Sequence, residues 1–98
     1  MTNENSKTWF AKVEELRKHM MLTNSNMAEI IGVSRMTYYS WVKGKHIREK
    51  NFKKVQAILR TLLDIMTKHD WPKPSIIALD QNQRFEILKG ILKKYESV

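Results

Sequence analysis

The chain has 98 residues, 42% hydrophobic and 29% charged, which is enough for one helical core and too little for two. It has no cysteine, which excludes a disulfide framework and a cysteine-ligated zinc finger, and its longest apolar runs are too short to span a membrane. The net charge of +8 is concentrated: Arg35 to Arg60 holds eight basic side chains against the single acid Glu49, a local surplus that suits a polyanion such as a phosphate backbone.

Met1 to Asn5 reads as a frayed start, with Ser6 as an N-cap. From Lys7 to Met20, Trp9, Phe10, Val13, Leu16 and Met20 recur at three- and four-residue steps and predict an amphipathic helix. Thr23 or Ser25 can cap a short second helix carrying Met27, Ala28, Ile30 and Ile31, which Gly32 interrupts. Ser34 can cap a third helix that runs to Lys43 and stops at Gly44. Lys45 to Lys50 is a basic connection.

Phe52, Val55, Ile58, Leu59, Leu62, Leu63, Ile65 and Met66 follow at helical spacing. Their stripe is wide enough to face two neighbours or another subunit. The run His69 to Pro74 must end this helix, since its two prolines and the residues before them disfavour helical geometry. Ile76 to Leu79 fits either a short helix or an extended piece. Asp80 and Gln83 resemble a capping box. The helix after them puts Phe85, Leu88, Ile91, Leu92 and Tyr95 on one face, with Lys93 and Lys94 in the last turn, where they complement its dipole. No alternating strand pattern occurs, so the chain reads as all-α.

The segment Asn24 to Lys43 has the logic of a helix-turn-helix. Ala28 is small where two helices cross closely, and Gly32 falls where the turn needs an unusual backbone angle. Met27, Ile31, Val33, Tyr38 and Trp41 supply the apolar glue. With Tyr38 and Trp41 inward, Arg35, Met36, Tyr39, Ser40 and Lys43 point outward. A slip in helix phase would instead bring Tyr39 to the core.

The stretch Leu22 to Arg35 resembles the corresponding part of the Cro/C1 repressor-like helix-turn-helix family. So does Tyr38 to Lys45, with its tryptophan and closing Gly-Lys pair. The resemblance covers Trp9 to Arg60, and the chain departs from it with Asn24 in place of a frequent glutamine and Tyr38 in place of an aliphatic residue. It implies a compact bundle of about five helices that binds double-stranded DNA as a transcriptional regulator, commonly a homodimer on an inverted repeat. The third helix would enter the major groove. On this basis residues 1–68 are expected to form the DNA-binding core. Residues 69–98 would be a C-terminal helical extension packed on that core or in a dimer interface, within one domain overall.

Base-reading candidates are Ser34, Arg35, Met36, Tyr39 and Ser40. Arg35 suits a guanine edge or a phosphate, and Met36 a thymine methyl or a partly buried site. Ser34 is first an N-cap. Phosphate candidates are Asn24 and Asn26 at the start of the second helix, together with Thr37, Lys43, Lys45, Arg48 and Lys50. Trp9, Phe10, Phe52 and Phe85 are most simply core, and Trp71 can pin a loop or join an interface.

The competing class is a helical interaction adaptor or antitoxin-like partner, which has no use for basic charge beside an outward helix face. An enzyme is not expected: His19, His46 and His69 stand far apart, and no phosphate loop or activated nucleophile is present. No cofactor, metal or membrane partner is expected. A cytoplasmic, nucleoid-associated repressor from a phage or mobile element fits the whole pattern.

Overall fold

The computed structural model describes residues 3–96, with side chains described for residues 8–95. These residues form six helices: α1 (Asn3–His19), α2 (Asn24–Ile31), α3 (Arg35–Val42), α4 (Glu49–Lys68), α5 (Pro74–Ile77) and α6 (Gln81–Glu96). The fold is all-α, with no strand among the described residues. The short α5 raises the expected count of about five to six.

Helix α1 starts at Asn3, so Ser6 lies inside it and is not its N-cap. Nothing in the intervening sequence stops the helix from extending backwards, because it holds neither glycine nor proline. At the other end Met21 adopts a left-handed φ of 61°, and the Leu22 N–H closes back on the Arg17 carbonyl at 3.0 Å. The Arg17 guanidinium donates to the Leu22 carbonyl at 2.8 Å, fixing the same corner from its other side.

That corner delivers the chain to Thr23, which caps α2 in preference to Ser25. The Thr23 hydroxyl accepts from the Asn26 N–H at 3.0 Å, and the Asn26 side chain accepts from the Thr23 N–H at 3.1 Å. Gly32 ends α2 with φ at 89°. A Cβ there would meet nothing within 4 Å, so the backbone angle, not crowding, calls for glycine. The Ala28 carbonyl accepts from the N–H groups of both Gly32 and Val33, at 2.9 and 3.0 Å, and Ala28 itself is buried where α2 meets α3. Ser34 caps α3 by accepting from the Thr37 N–H at 3.0 Å. Gly44, at φ 100°, turns the chain out of α3.

The core draws Phe10, Val13 and Met20 from α1, Met27, Ala28 and Ile31 from α2, and Tyr38 and Trp41 from α3. Phe10 packs its ring against Tyr38 and Trp41, with centroids 5.4 and 6.1 Å apart. Trp9 and Phe52 are only half-buried and lie on one another at 4.4 Å. Helix α4 buries Val55, Leu62 and Ile65 and packs on two neighbours, α2 and α6, which accounts for most of its wide stripe; Leu63 remains exposed.

The proline-rich break ends α4 at Lys68, and Trp71 beyond it is only 4% exposed. Its indole N–H donates to the Met20 carbonyl at 3.0 Å, tying the loop to the end of α1. Pro74 opens the single turn of α5, so the 76–79 stretch begins as helix and ends as a bend. Asp80 and Gln83 then form the capping box, with the Gln83 N–H on Asp80 Oδ1 at 2.8 Å. Phe85 and Leu88 of α6 join the core, and the Tyr95 hydroxyl donates to Asp64 of α4 at 2.6 Å. Among the described residues no helix is long and apolar enough to cross a membrane.

Candidate nucleic-acid interface

Helix α3 is held by its inward face. Tyr38 is fully buried and its hydroxyl donates to Glu14 Oε2 at 2.7 Å, while Arg17 pairs with the same carboxylate at 2.7 Å. This Tyr38–Glu14–Arg17 chain links α3 to α1 through a satisfied polar contact inside an apolar seam. Burial, then the hydrogen bond and negative charge of Glu14, hold the Tyr38 phenol well above the usual tyrosine range, against a smaller opposing effect of Arg17.

A phenol whose folded pKa lies above its unfolded value near 10 favours the fold fully below about pH 10, and that contribution drains away as pH rises towards the folded pKa. Above about pH 10 the protein is therefore expected to lose up to ~1.4 kcal/mol per pH unit more than its Tyr38→Phe variant. Urea midpoints of the two proteins at rising alkaline pH check this, and parallel curves would show that Tyr38 does not ionise on unfolding.

With Tyr38 and Trp41 inward, the alternative helix phase does not occur: Tyr39 is 50% exposed and Met36 82% exposed. Met36 is thus not the partly buried methionine that its residue type also allows. The Lys43 ammonium lies over the Tyr39 ring, 5.1 Å from its centroid. Arg35 and Ser34 are exposed at the start of the helix, and the Ser34 hydroxyl also donates to Thr37 Oγ1 at 2.8 Å. Ser40 donates to the Thr37 carbonyl at 2.7 Å.

Two clefts divide the candidate residues. Asn24 from α2 joins Arg35, Met36 and Tyr39 from α3 around a space of about 250 Å³. The Asn24 side-chain oxygen is itself buried and has no hydrogen-bond partner among the described residues. At the other flank of α3, Thr37, Ser40, Lys45 and Arg48 gather with Trp41, His46 and Asn51 around about 290 Å³. Hydroxyl, imidazole, amide, ammonium and guanidinium groups there make a set suited to phosphate oxygens.

Asn26, Ser34, Lys43 and Lys50 line neither of these two clefts. Asn26 is engaged elsewhere: its oxygen caps Thr23 and also accepts from Gln81 Nε2 of α6 at 2.8 Å. The same Gln81 nitrogen reaches the Met21 carbonyl at 3.0 Å. Lys50 is exposed on the first turn of α4.

Sequence reasoning missed His46 and Asn51. His46 sits inside the basic connection, whose lysines and arginine drew attention away from it. Asn51 carries no charge and joins the cleft only because α4 starts beside the end of α3. Gln81 had no local signal, being 55 residues from the side chain it holds.

A family model described as helix-turn-helix, of the Cro/C1 type, matches residues 13–64, a little over half of the chain. No curated protein matches the chain, and no solved structure does.

Proposed function

The chain belongs to the Cro/C1-type helix-turn-helix family of DNA-binding regulators, and from that premise we propose that it reads a specific double-stranded sequence with α3 in the major groove and represses transcription by occupying it. One observation carries this reading above all: the exposed side of α3 offers Arg35, Met36 and Tyr39 beside a cleft of Lys45, Arg48, Thr37 and Ser40. A helix displaying contact groups, flanked by cations, matches the division between base readout and backbone positioning.

In this reading Ser34, Arg35, Met36, Tyr39 and Ser40 face base edges. Thr37, Lys43, Lys45, Arg48 and Lys50 neutralise phosphates, joined by His46 and Asn51. Asn24 and Asn26 serve the start of α2, where backbone N–H groups favour an anion. With its oxygen committed to Thr23 and Gln81, Asn26 would act through its amide nitrogen.

Residues 1–68 act as the DNA-binding core in this proposal and residues 69–98 as an extension packed on it, which is supported by Trp71, Phe85 and Leu88 sharing one core with α1 to α4. The protein acts as a homodimer, an assembly favoured by the large apolar side chains left exposed at Leu63, Ile77 and Ile87. Sedimentation showing a monomer at micromolar concentration, with and without DNA, would remove the dimer.

The test of specific reading is selection from a random duplex pool at two salt concentrations. The expected result is one enriched sequence, bound at least a thousandfold more tightly than unselected duplex, on the order of specific over nonspecific binding. Affinity that depends on salt alone, with no enriched sequence, would reduce the protein to a nonspecific binder.

A further inference from the structure

Gly90 lies in the middle of α6, where a glycine weakens the helix, and nothing in the chain's own packing calls for one. Unlike Gly32 and Gly44 it has no positive φ, and a Cβ added there would meet nothing within 4 Å. It is exposed, and so are Gln83, Glu86, Ile87, Lys93 and Lys94, which all lie within about 60° of it around the helix. At one end of this face Leu79, Asn82, Gln83, Glu86 and Ile87 line an open groove of about 400 Å³ whose surface is almost wholly apolar. The charges of the face are split about the glycine: Glu86 stands one turn before it, and Lys93 and Lys94 one turn after. Lys89 meets Glu86 from the flank at 2.9 Å, but 71% of the Glu86 side chain is exposed and open to a second cation.

We propose that α6 pairs antiparallel with α6 of a second copy of this chain, the two backbones crossing at Gly90. The proposal rests on the homodimer reading above and deepens it by naming the face, its direction and its centre. Charge fixes the direction. Side by side in parallel, the helices would set Glu86 against Glu86 and Lys94 against Lys94. Turned antiparallel about Gly90, each Glu86 meets Lys94 of the second copy, and the contact occurs twice because the interface is isologous. The missing side chain at Gly90 lets the two axes approach closely at the crossing. Ile87 and the apolar groove beside it are then covered by the last turn of the opposite helix, whose lysine stems suit an apolar surface with charged heads at its rim. The two-fold axis that relates the helices also relates the two copies of α3, as reading an inverted repeat requires.

The experiment is sedimentation of the full chain over a range of micromolar concentrations, for the wild type, Glu86→Lys, Lys94→Glu and Gly90→Leu, and for an equimolar mixture of the first two variants. The wild type should be a dimer. Glu86→Lys and Lys94→Glu each place like charges at both ends of the crossing and should weaken self-association roughly tenfold or more. In the mixture an acid again meets a base at both ends, so the two variants should form a mixed dimer that neither forms alone. Gly90→Leu should be monomeric, because a side chain at the crossing holds the backbones apart. Its urea midpoint, measured at a dilution where the wild type is also monomeric, should not fall, since the added side chain has open space within its own chain.

Recovery of the dimer in the mixture supports the antiparallel pairing and shows that both variants are folded. Variants that stay monomeric when mixed overturn it. A wild-type dimer that all three single variants preserve overturns this face while leaving the homodimer intact, and moves the interface elsewhere, for example to Leu63 of α4. A Gly90→Leu dimer as tight as the wild type overturns the crossing at Gly90. A wild type that stays monomeric with and without DNA overturns the homodimer itself, and the α6 pairing with it.

Discussion

Replacing Trp71 with alanine is expected to destabilise the protein by roughly 3–5 kcal/mol, the range for truncating a buried large aromatic side chain. Trp71 is 4% exposed and is seated in the same core as Met20, Leu62 and Phe85. Its loss opens a cavity and also strips the Met20 carbonyl of the donor it holds at 3.0 Å. Against a total of about 5–15 kcal/mol for an ordinary domain, that removes a large fraction of the stability.

Trp71→Phe removes the indole N–H with three ring atoms, so the unsatisfied carbonyl, about 1–3 kcal/mol, is lost together with a smaller cavity than the alanine variant leaves, and its loss should fall below that of Trp71→Ala. Urea unfolding of the three proteins gives both values. A Trp71→Ala variant within 1 kcal/mol of wild type would mean that the loop after α4 is not anchored by this residue. The consequence reaches the proposed DNA face, because Met20 leads directly into the corner at Met21 and Leu22 from which Thr23 starts α2. The second tie, Gln81 to Met21 and Asn26, acts on the same corner.

Arg35→Ala is expected to weaken binding to the selected duplex roughly fivefold to a hundredfold, the loss associated with one good bidentate base contact of about 1–3 kcal/mol. Arg35 stands exposed in the first turn of α3, where recognition helices usually meet base edges, and the α3 cap at Ser34 fixes its approach. The loss should fall on one base pair, with little change in affinity for duplexes already mutated there. Lys45→Ala and Arg48→Ala should behave differently. They should weaken all sequences alike and reduce the slope of log affinity against log salt by about 0.9 each. If Arg35→Ala gives this uniform pattern instead, Arg35 clamps a phosphate and the base contacts fall to Met36, Tyr39 and Ser40.

Much of this site is legible in the sequence because a helix-turn-helix is built from local rules. A glycine four residues beyond a small alanine, a serine two residues further on, and aromatic residues three apart specify a turn, a cap and an inward face over 14 residues. Helical periodicity then points Arg35, Met36, Tyr39, Ser40 and Lys43 outward, and the burial of Tyr38 removes the slip in phase that would have turned Tyr39 inward. The capping box at Asp80 and Gln83 is equally local, and it forms. Ser6 shows the limit of such rules: a capping residue type marks a helix start only where the residues before it break helical geometry, and Asn3 to Asn5 hold neither glycine nor proline.

Sequence by itself therefore determined the helical class, the position of the turn and the basic window behind α3, since each depends on residues within a few turns of one another, while the choice of Tyr38 over Tyr39 for the inward face fell to the structure. Only the tertiary structure decided that Asn24 and Met36 share a cleft, that His46 and Asn51 join Lys45 and Arg48, and that Asn26 is held by Gln81. It also decided that Trp71 belongs to the core and that Tyr38 bonds to Glu14. These contacts join residues from different helices. They follow from how apolar stripes pack against one another, and no periodicity along a single helix records which stripe will be the neighbour.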